Sequence, residues 1–436
     1  MKLDIKSALG SAKTITACVW IFRVFVGMVF IFSGWAKAVD LWGTVYKIEE
    51  YFNIWGLNVT RESVVALSFV LAATEFCSGV MLIVGCFRRV VTWILMAFMV
   101  VMTPLTLYIY VANPVADCGC FGDALIISNG ATFFKNLVLT ALIAYLMVYN
   151  KRCRSLYNYR IQWLTVVAAS LYVFVIGFIG YNVQPLVDFR PYAVGQSLAS
   201  AEDSAASAGI VLVYEKDGQR QEFAVDNLPD DSWTYVGRRT VDSAAGGELT
   251  IFDGDEDVTA DVIATEGPQL ILTVLDAPRY GISRSLMANS LNAYVEKLGG
   301  SMFAVVAGDG EIASRWAETV DADYAVYSAD DTELKALARG DAALIYLEDG
   351  IVKWKRNIYS FSPHFPSDAD SHSANVLADI EPIESPWNVI NLTIALIVVM
   401  FLISTLNIIP AAIKRSRQKK SDVPAEEATS VTDAEN

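Results

Sequence analysis

The chain has 436 residues, of which 54% are hydrophobic and 19% charged, with a formal net charge of -15. That balance is too apolar for an ordinary soluble protein, and the length leaves room for a membrane part and a globular part. The acidity argues against nucleic acid as a partner.

Six runs of about 20 residues are nearly free of charge, at 15–36, 64–85, 90–111, 133–149, 161–181 and 389–409. Each is long enough to cross a hydrocarbon core of roughly 30 Å, which predicts a polytopic helical membrane protein in contact with the lipid bilayer. Lys2, Lys6 and Lys13 precede the first span, Arg88 and Arg89 separate the second from the third, and Lys151, Arg152, Arg154 and Arg160 separate the fourth from the fifth. A further basic cluster at 414–420 follows the sixth. All four segments fall on one side of an alternating topology, so the positive-inside rule puts both termini in the cytoplasm. The loop between spans three and four and the segment 185–386 then lie outside. Lys13, ahead of an apolar run ending in Ala36-Lys37-Ala38, has the outline of a cleavable leader. The run is too long for one and carries Arg23, so it is expected to stay as a span.

Span one carries Arg23, Gly27, Ser33, Gly34 and Lys37, with small residues that let another helix approach closely. Arg23 lies about two turns inside the membrane, where it either snorkels or finds a partner. The loop at 39–62 has aromatic and acidic residues at helical spacing, as expected of a helix at the interface with Trp42, Tyr51 and Trp55 at headgroup depth. Span two holds Glu75 near its middle, a carboxyl that must be paired, protonated or turned to a polar cavity. Arg23 is one candidate partner. Cys77 reads as a small buried residue, and Cys18, Cys86 and Cys153, near the cytoplasmic face, as structural or incidental.

Span three contains Pro104, an expected kink, and leads into Asp117-Cys118-Gly119-Cys120-Phe121-Gly122-Asp123. Two thiols one residue apart in a glycine-rich turn can approach disulfide distance, and so small a ring should be strained and oxidising. Lys135, at the start of span four, is on the same side and would lower a thiol pKa if it came close.

After the fifth span the composition turns acidic. Hairpins are expected at 210–225 and 249–258. Strands at 270–275, 302–307, 324–327, 343–347 and 351–354 alternate with helices at 283–298, 311–319 and 332–338, giving a central sheet covered by helices. The only histidines, His364 and His372, lie in the Ser/Pro/Asp-rich stretch that follows, and with no cysteine in this region no metal site is expected. The tail from Ser421 is polar.

The first four spans resemble the DoxX/MauE-like membrane proteins, on Arg23, Gly27, Ser33-Gly34 and Lys37, on Glu75 with Gly79 and Gly85, on the 117–123 motif and on Lys135-Asn136. The resemblance covers about the first third of the chain. It implies a four-helix bundle of the bacterial inner membrane, a link to methylamine utilisation, disulfide formation in a periplasmic client, and a membrane quinone as electron acceptor. The external region resembles, in element order, the thioredoxin-like fold of peroxiredoxins. Where that superfamily places its cysteine pair, this chain has Asp276-Ala277-Pro278-Arg279-Tyr280-Gly281, and where it places a cis-proline, Asp341-Ala342. The domain is therefore expected to bind or dock without redox chemistry of its own.

The organisation that follows is a membrane domain at 1–155, a fifth span at 156–184, a β-rich segment at 185–265 and a degenerate thioredoxin-like α/β domain at 266–360. A linker at 361–387, a sixth span at 388–410 and a cytoplasmic tail at 411–436 complete it. The sharpest functional expectation is a membrane thiol:disulfide oxidoreductase with Cys118 and Cys120 as an exposed catalytic pair. Asp117, Gly119, Phe121, Gly122, Asp123, Lys135, Glu75 and Arg23 support it. Two alternatives stand beside it: a scaffold or assembly protein with a structural disulfide and a partner-binding external domain, and a transporter-like protein in which Glu75 and Arg23 line a polar path.

Overall fold

The computed structural model describes residues 12–115, 117–152, 155–198, 210–216, 219–224, 234–240, 249–367 and 374–421. His372, Cys153, the hairpin turn at 217–218 and the tail beyond 421 lie outside them.

The membrane part contains α1 (Ala12–Val39), α2 (Leu41–Ile54), α3 (Arg61–Val84), α4 (Arg88–Ala112), α5 (Asn129–Val148) and α6 (Gln162–Asn182). Five of these, with the late helix α11 (Pro386–Ser421), contain six stretches long and apolar enough to span a bilayer. The protein is therefore a membrane protein, with six candidate spans among the described residues. α1 packs most extensively on α3, α4 on α5, and α6 sits against α3, α1 and α11. The α1–α3 contact is close because neither backbone carries a side chain at the crossing. A Cβ at Gly34 would meet the Phe76 backbone nitrogen at 2.4 Å, and one at Gly79 the Gly27 carbonyl at 2.7 Å. α4 runs unbroken through Pro104.

The interfacial expectation for the 39–62 loop is corrected in part. α2 is a helix, but its face is not turned to lipid headgroups: Trp42 is buried, stacks on Tyr181 at 4.9 Å and donates Nε1–H to the Tyr181 carbonyl at 2.8 Å. Ile54 and Trp55, at its end, remain exposed. The apolar stripe that suggested lipid is used to seat α2 between the bundle and the external domain.

Outside the membrane, β1 (Ile210–Lys216), β2 (Gln219–Ala224) and β3 (Thr234–Thr240) form a small antiparallel sheet in the order β2-β1-β3. The seven-stranded sheet consists of β4 (Phe252–Asp253), β5 (Glu256–Asp257), β6 (Pro268–Val274), β7 (Ser301–Ala307), β8 (Ala325–Ala329), β9 (Ala342–Glu348) and β10 (Ile351–Asn357), in the order β10-β9-β6-β7-β8-β4-β5. β6, β7 and β8 are parallel, β9 is antiparallel to β6, and β10 to β9. After the one-turn α7 (Thr259–Val262), the parallel strands are connected by α8 (Ile282–Lys297) and α9 (Gly310–Val320), and α10 (Asp331–Leu337) leads into β9. β6 and β9 are buried along almost their whole length, as a sheet covered on both faces requires. β3, with Arg238 and Arg239 in its run, carries no alternation that marks it in the sequence. The stretch at 361–387 is more than a linker, since Leu377 is fully buried and its carbonyl accepts from Trp354 Nε1 at 2.7 Å.

Candidate functional site

The 117–123 loop is a turn held by its own backbone. The Gly122 N–H donates to the Gly119 carbonyl at 3.1 Å, and the Gly119 N–H to Asp117 Oδ1 at 2.7 Å. Gly119 sits at φ 66° with Lys47 Cγ 2.7 Å from where a Cβ would be, so both conformation and space exclude a side chain. The turn brings the thiols of Cys118 and Cys120 to an Sγ–Sγ distance of 2.8 Å.

Four side chains from the helices pin this loop. Tyr51 of α2 donates its hydroxyl to the Cys118 carbonyl at 3.0 Å, and Lys47 pairs with Asp117 at 3.2 Å. Ser33 donates to the Cys120 carbonyl at 2.7 Å, and Lys37 Nζ donates to the same carbonyl at 2.5 Å. Lys37 also donates to Ser33 Oγ and to Glu75 Oε2, each at 2.8 Å. All three ammonium protons are therefore placed, in a site where Lys37 and Glu75 are both buried.

The partner expected for Glu75 is thus corrected. Glu75 pairs with Lys37 rather than with Arg23, which is also fully buried and donates Nε–H to the Leu82 carbonyl at 2.5 Å and Nη2–H to the Ile83 carbonyl. Arg23 does not snorkel, and its guanidinium also lies over Trp20 at 4.3 Å. Those carbonyls lie about two turns from Glu75 along α3, about 11 Å, so the two groups do not line one polar path. Lys37 was visible in the sequence only as part of the span-one pattern. Its signal was a lysine one helical turn after Ser33, four residues apart on one face of a span.

The expected exposure of the thiols is corrected as well. Cys118 is 7% exposed and Cys120 partly buried, both packed in a cluster with Ile109, Val115, Met102, Leu105 and Tyr51. Cys120 lines instead a narrow cleft of the bundle with a volume of about 30 Å³, enough for about one water. Phe30, Phe98, Met99 and Leu139 line it, with Glu75, Lys135 and Asn136 as polar groups. Lys135 lies over the Phe121 ring at 4.0 Å. The Cys118 hydrogen bond pulls the Cys120 thiol down to about 7; burial opposes this, and the charges of Lys135 and Lys37 reinforce it. The same bond, together with burial, pushes the Cys118 thiol up. Cys77 is buried with its sulfur 3.4 Å from Ser170 Oγ, and Cys86 is buried.

The external domain is seated on this site. Arg339, buried in the turn between α10 and β9, forks onto Asp40 with Nη2 2.5 Å from Oδ2, and also pairs with Asp123 of the cysteine loop. Burial opposes ionisation of Asp40, but the Arg339 guanidinium outweighs it and holds the carboxyl below its ordinary range. Beside it, Gly340 N–H donates to Tyr46 Oη at 3.1 Å, and Arg61 pairs with Glu49 at 2.8 Å, with Asp276 at 3.5 Å and with Asp341. The two loops of the domain that face the bundle are thus 276–281 and 339–341. Among the described residues no group of three or more His, Cys, Asp or Glu is placed to hold a metal ion.

Residues 15–149 match the family model described as methylamine utilisation protein MauE, and residues 209–241 match one described as a domain of unknown function, DUF8463. The first match spans the four-helix bundle and the cysteine loop, so this third of the chain is similar to MauE. No curated protein and no solved structure matches the chain.

Proposed function

We propose that this MauE-like membrane protein is a thiol:disulfide oxidoreductase of the bacterial inner membrane, in which Cys118 and Cys120 cycle between dithiol and disulfide on the periplasmic side. One observation carries the reading: two sulfurs 2.8 Å apart on a loop whose carbonyls are fixed by Tyr51, Ser33 and Lys37. Closing that gap to a disulfide of about 2.05 Å needs a movement of less than about 1 Å, so oxidation and reduction leave the scaffold in place. The orientation rests on the distribution of lysine and arginine between the loops.

In this scheme the loop disulfide oxidises a client dithiol. A client thiolate attacks the sulfur of Cys118, and Cys120, the thiol with the lower pKa, leaves as thiolate. The second client thiol then displaces Cys118, so the client gains a disulfide and the loop gains two protons and two electrons. A quinone-class acceptor held beside Cys120, Lys135 and Asn136 would supply the two-electron, two-proton couple that reoxidation of the pair needs. The cleft at Cys120 is lined mainly by apolar side chains, which would have to part to admit a hydrophobic ring. The matched family's name suggests methylamine utilisation as the setting of such a client.

The sheet order supports a thioredoxin-like reading of the external domain: three parallel strands β8, β7 and β6, then antiparallel β9 and β10. The loops that hold the reactive groups in that superfamily lie here on the bundle, bonded through Asp276, Arg339 and Asp341. The domain acts as a cap that fixes the cysteine loop and must shift to admit a client. The 7% exposure of Cys118 favours a second reading, a structural disulfide in a non-enzymatic assembly protein. Cysteine-to-serine exchange separates the two. On the redox reading Cys118→Ser or Cys120→Ser, expressed in cells, captures a client as a mixed disulfide on a non-reducing gel; on the structural reading neither forms an adduct.

A further inference from the structure

At the end of the bundle opposite the cysteine loop, a cleft with about 960 Å³ of empty space opens between the start of α4 and the end of α5. Among the described residues, Arg89, Lys151 and Arg152 line it and no carboxylate does, and Trp93, Val148 and Asn150 complete its wall. Arg152 is oriented by a 3.1 Å hydrogen bond from Nη1 to Thr16 Oγ1. α4 begins at Arg88, so the amide end of a 25-residue helix adds to the positive potential.

Asn150 points to the nature of the ligand. It is 8% exposed, and its Nδ2 donates to the Arg88 carbonyl at 3.0 Å and to Thr92 Oγ1 at 3.2 Å. That fixes the amide and leaves Oδ1, sealed from solvent, with no donor. Trp93 and Val148, 66% and 77% exposed, present apolar surface on the outside of the spans, where acyl chains lie. Three cations call for a phosphate, the orphan oxygen calls for a hydroxyl, and the outer wall calls for hydrocarbon.

We propose that this cleft binds the headgroup of a hydroxyl-bearing anionic phospholipid of the phosphatidylglycerol kind. The phosphate rests on Arg89, Lys151 and Arg152, and a glycerol hydroxyl donates to Asn150 Oδ1. The proposal is independent of the thiol chemistry. Basic pockets between spans on the lysine- and arginine-rich side are where anionic lipids dock.

The test uses the full chain purified in detergent, with native mass spectrometry and thermal unfolding as readouts. Phosphatidylglycerol is expected to stay bound and to raise the unfolding temperature, while phosphatidylcholine and phosphatidylethanolamine do neither. The Arg89→Gln/Lys151→Gln variant should bind it roughly thirtyfold more weakly, from about 1 kcal/mol for each charge removed. Should that variant fail to fold, Asn150→Asp in its place sets an anion against the phosphate and should also lower binding. Equal retention of phosphatidylcholine or phosphatidylethanolamine, or unchanged binding by the variants, overturns the proposal. Stabilisation by millimolar glycerol 3-phosphate or inorganic phosphate equal to that by the lipid also overturns it, by making the site one for a soluble anion.

Discussion

Replacing Arg339 with alanine removes the guanidinium that joins the external domain to the loop connecting α1 and α2 and to the cysteine loop. The Arg339 and Asp40 side chains are 5% and 6% exposed, whereas Asp123 is 36% exposed. Only the Asp40 contact therefore counts as a buried pair; the Asp123 contact is discounted for solvent screening. Removing one partner of a buried pair leaves the other charge uncompensated, at a cost of roughly 3–5 kcal/mol. At 1.4 kcal/mol for each factor of ten, the docked state of the cap should weaken by at least about a hundredfold. The assay is the rate at which a membrane-impermeant maleimide alkylates the reduced Cys118/Cys120 pair in sealed vesicles, with circular dichroism to show that the helices and sheet persist. Alkylation should accelerate by about two orders of magnitude or more in Arg339→Ala. Arg339→Lys, which cannot span Asp40 and Asp123 with a planar fork, should fall between. A folded Arg339→Ala protein alkylated at the wild-type rate would refute the idea that docking controls access.

Three further outcomes follow from the site. The Cys120 thiol, lowered to about 7, should show a maleimide reaction midpoint near that pH, and Lys135→Gln should move it up toward an ordinary thiol. Because the folded value lies below the unfolded one, the stabilisation of the reduced loop is fully present above the unfolded thiol's pKa of about 8.5. It is lost as pH falls through 7, which thermal unfolding of the reduced protein against pH measures. Lys37→Met leaves Glu75 buried without its cation and should cost roughly 3–5 kcal/mol, while Lys37→Met/Glu75→Leu recovers much of that loss in chemical denaturation. Gly119→Ala forces a side chain into a left-handed position against Lys47 and should slow disulfide formation at Cys118/Cys120, with a stability cost of about 1–2 kcal/mol or more.

The sequence was legible wherever one residue pattern answers to one physical demand. Lipid spans need long apolar runs, and all six were found within a few residues of their helices, because hydrocarbon tolerates no unpaired backbone. β6, β7 and β9 were legible as apolar runs for the same reason, being buried on both faces. Glu75 and Arg23 stood out as charges inside spans, but their partners were not readable, since Lys37 lies 38 residues from Glu75 and the Arg23 acceptors are backbone carbonyls without a side-chain signature. The face of α2 was misjudged because amphipathicity says that a helix has something to cover and not what covers it; Trp42 meets Tyr181 rather than lipid. The least visible feature was the docking of Arg339 on Asp40, 299 residues apart, where neither residue is unusual in its own segment.

The most direct test of the account is a redox titration of the intact protein in native-like membranes. Differential thiol labelling would follow the Cys118–Gly119–Cys120 peptide across a series of thiol-disulfide buffers. The account predicts one reversible two-electron transition between dithiol and disulfide, at a potential more oxidising than that of structural bridges, below about -300 mV, and accompanied by mixed-disulfide capture in the single-serine variants. A pair that stays fully reduced or fully oxidised across the whole series, in a folded protein, would contradict it.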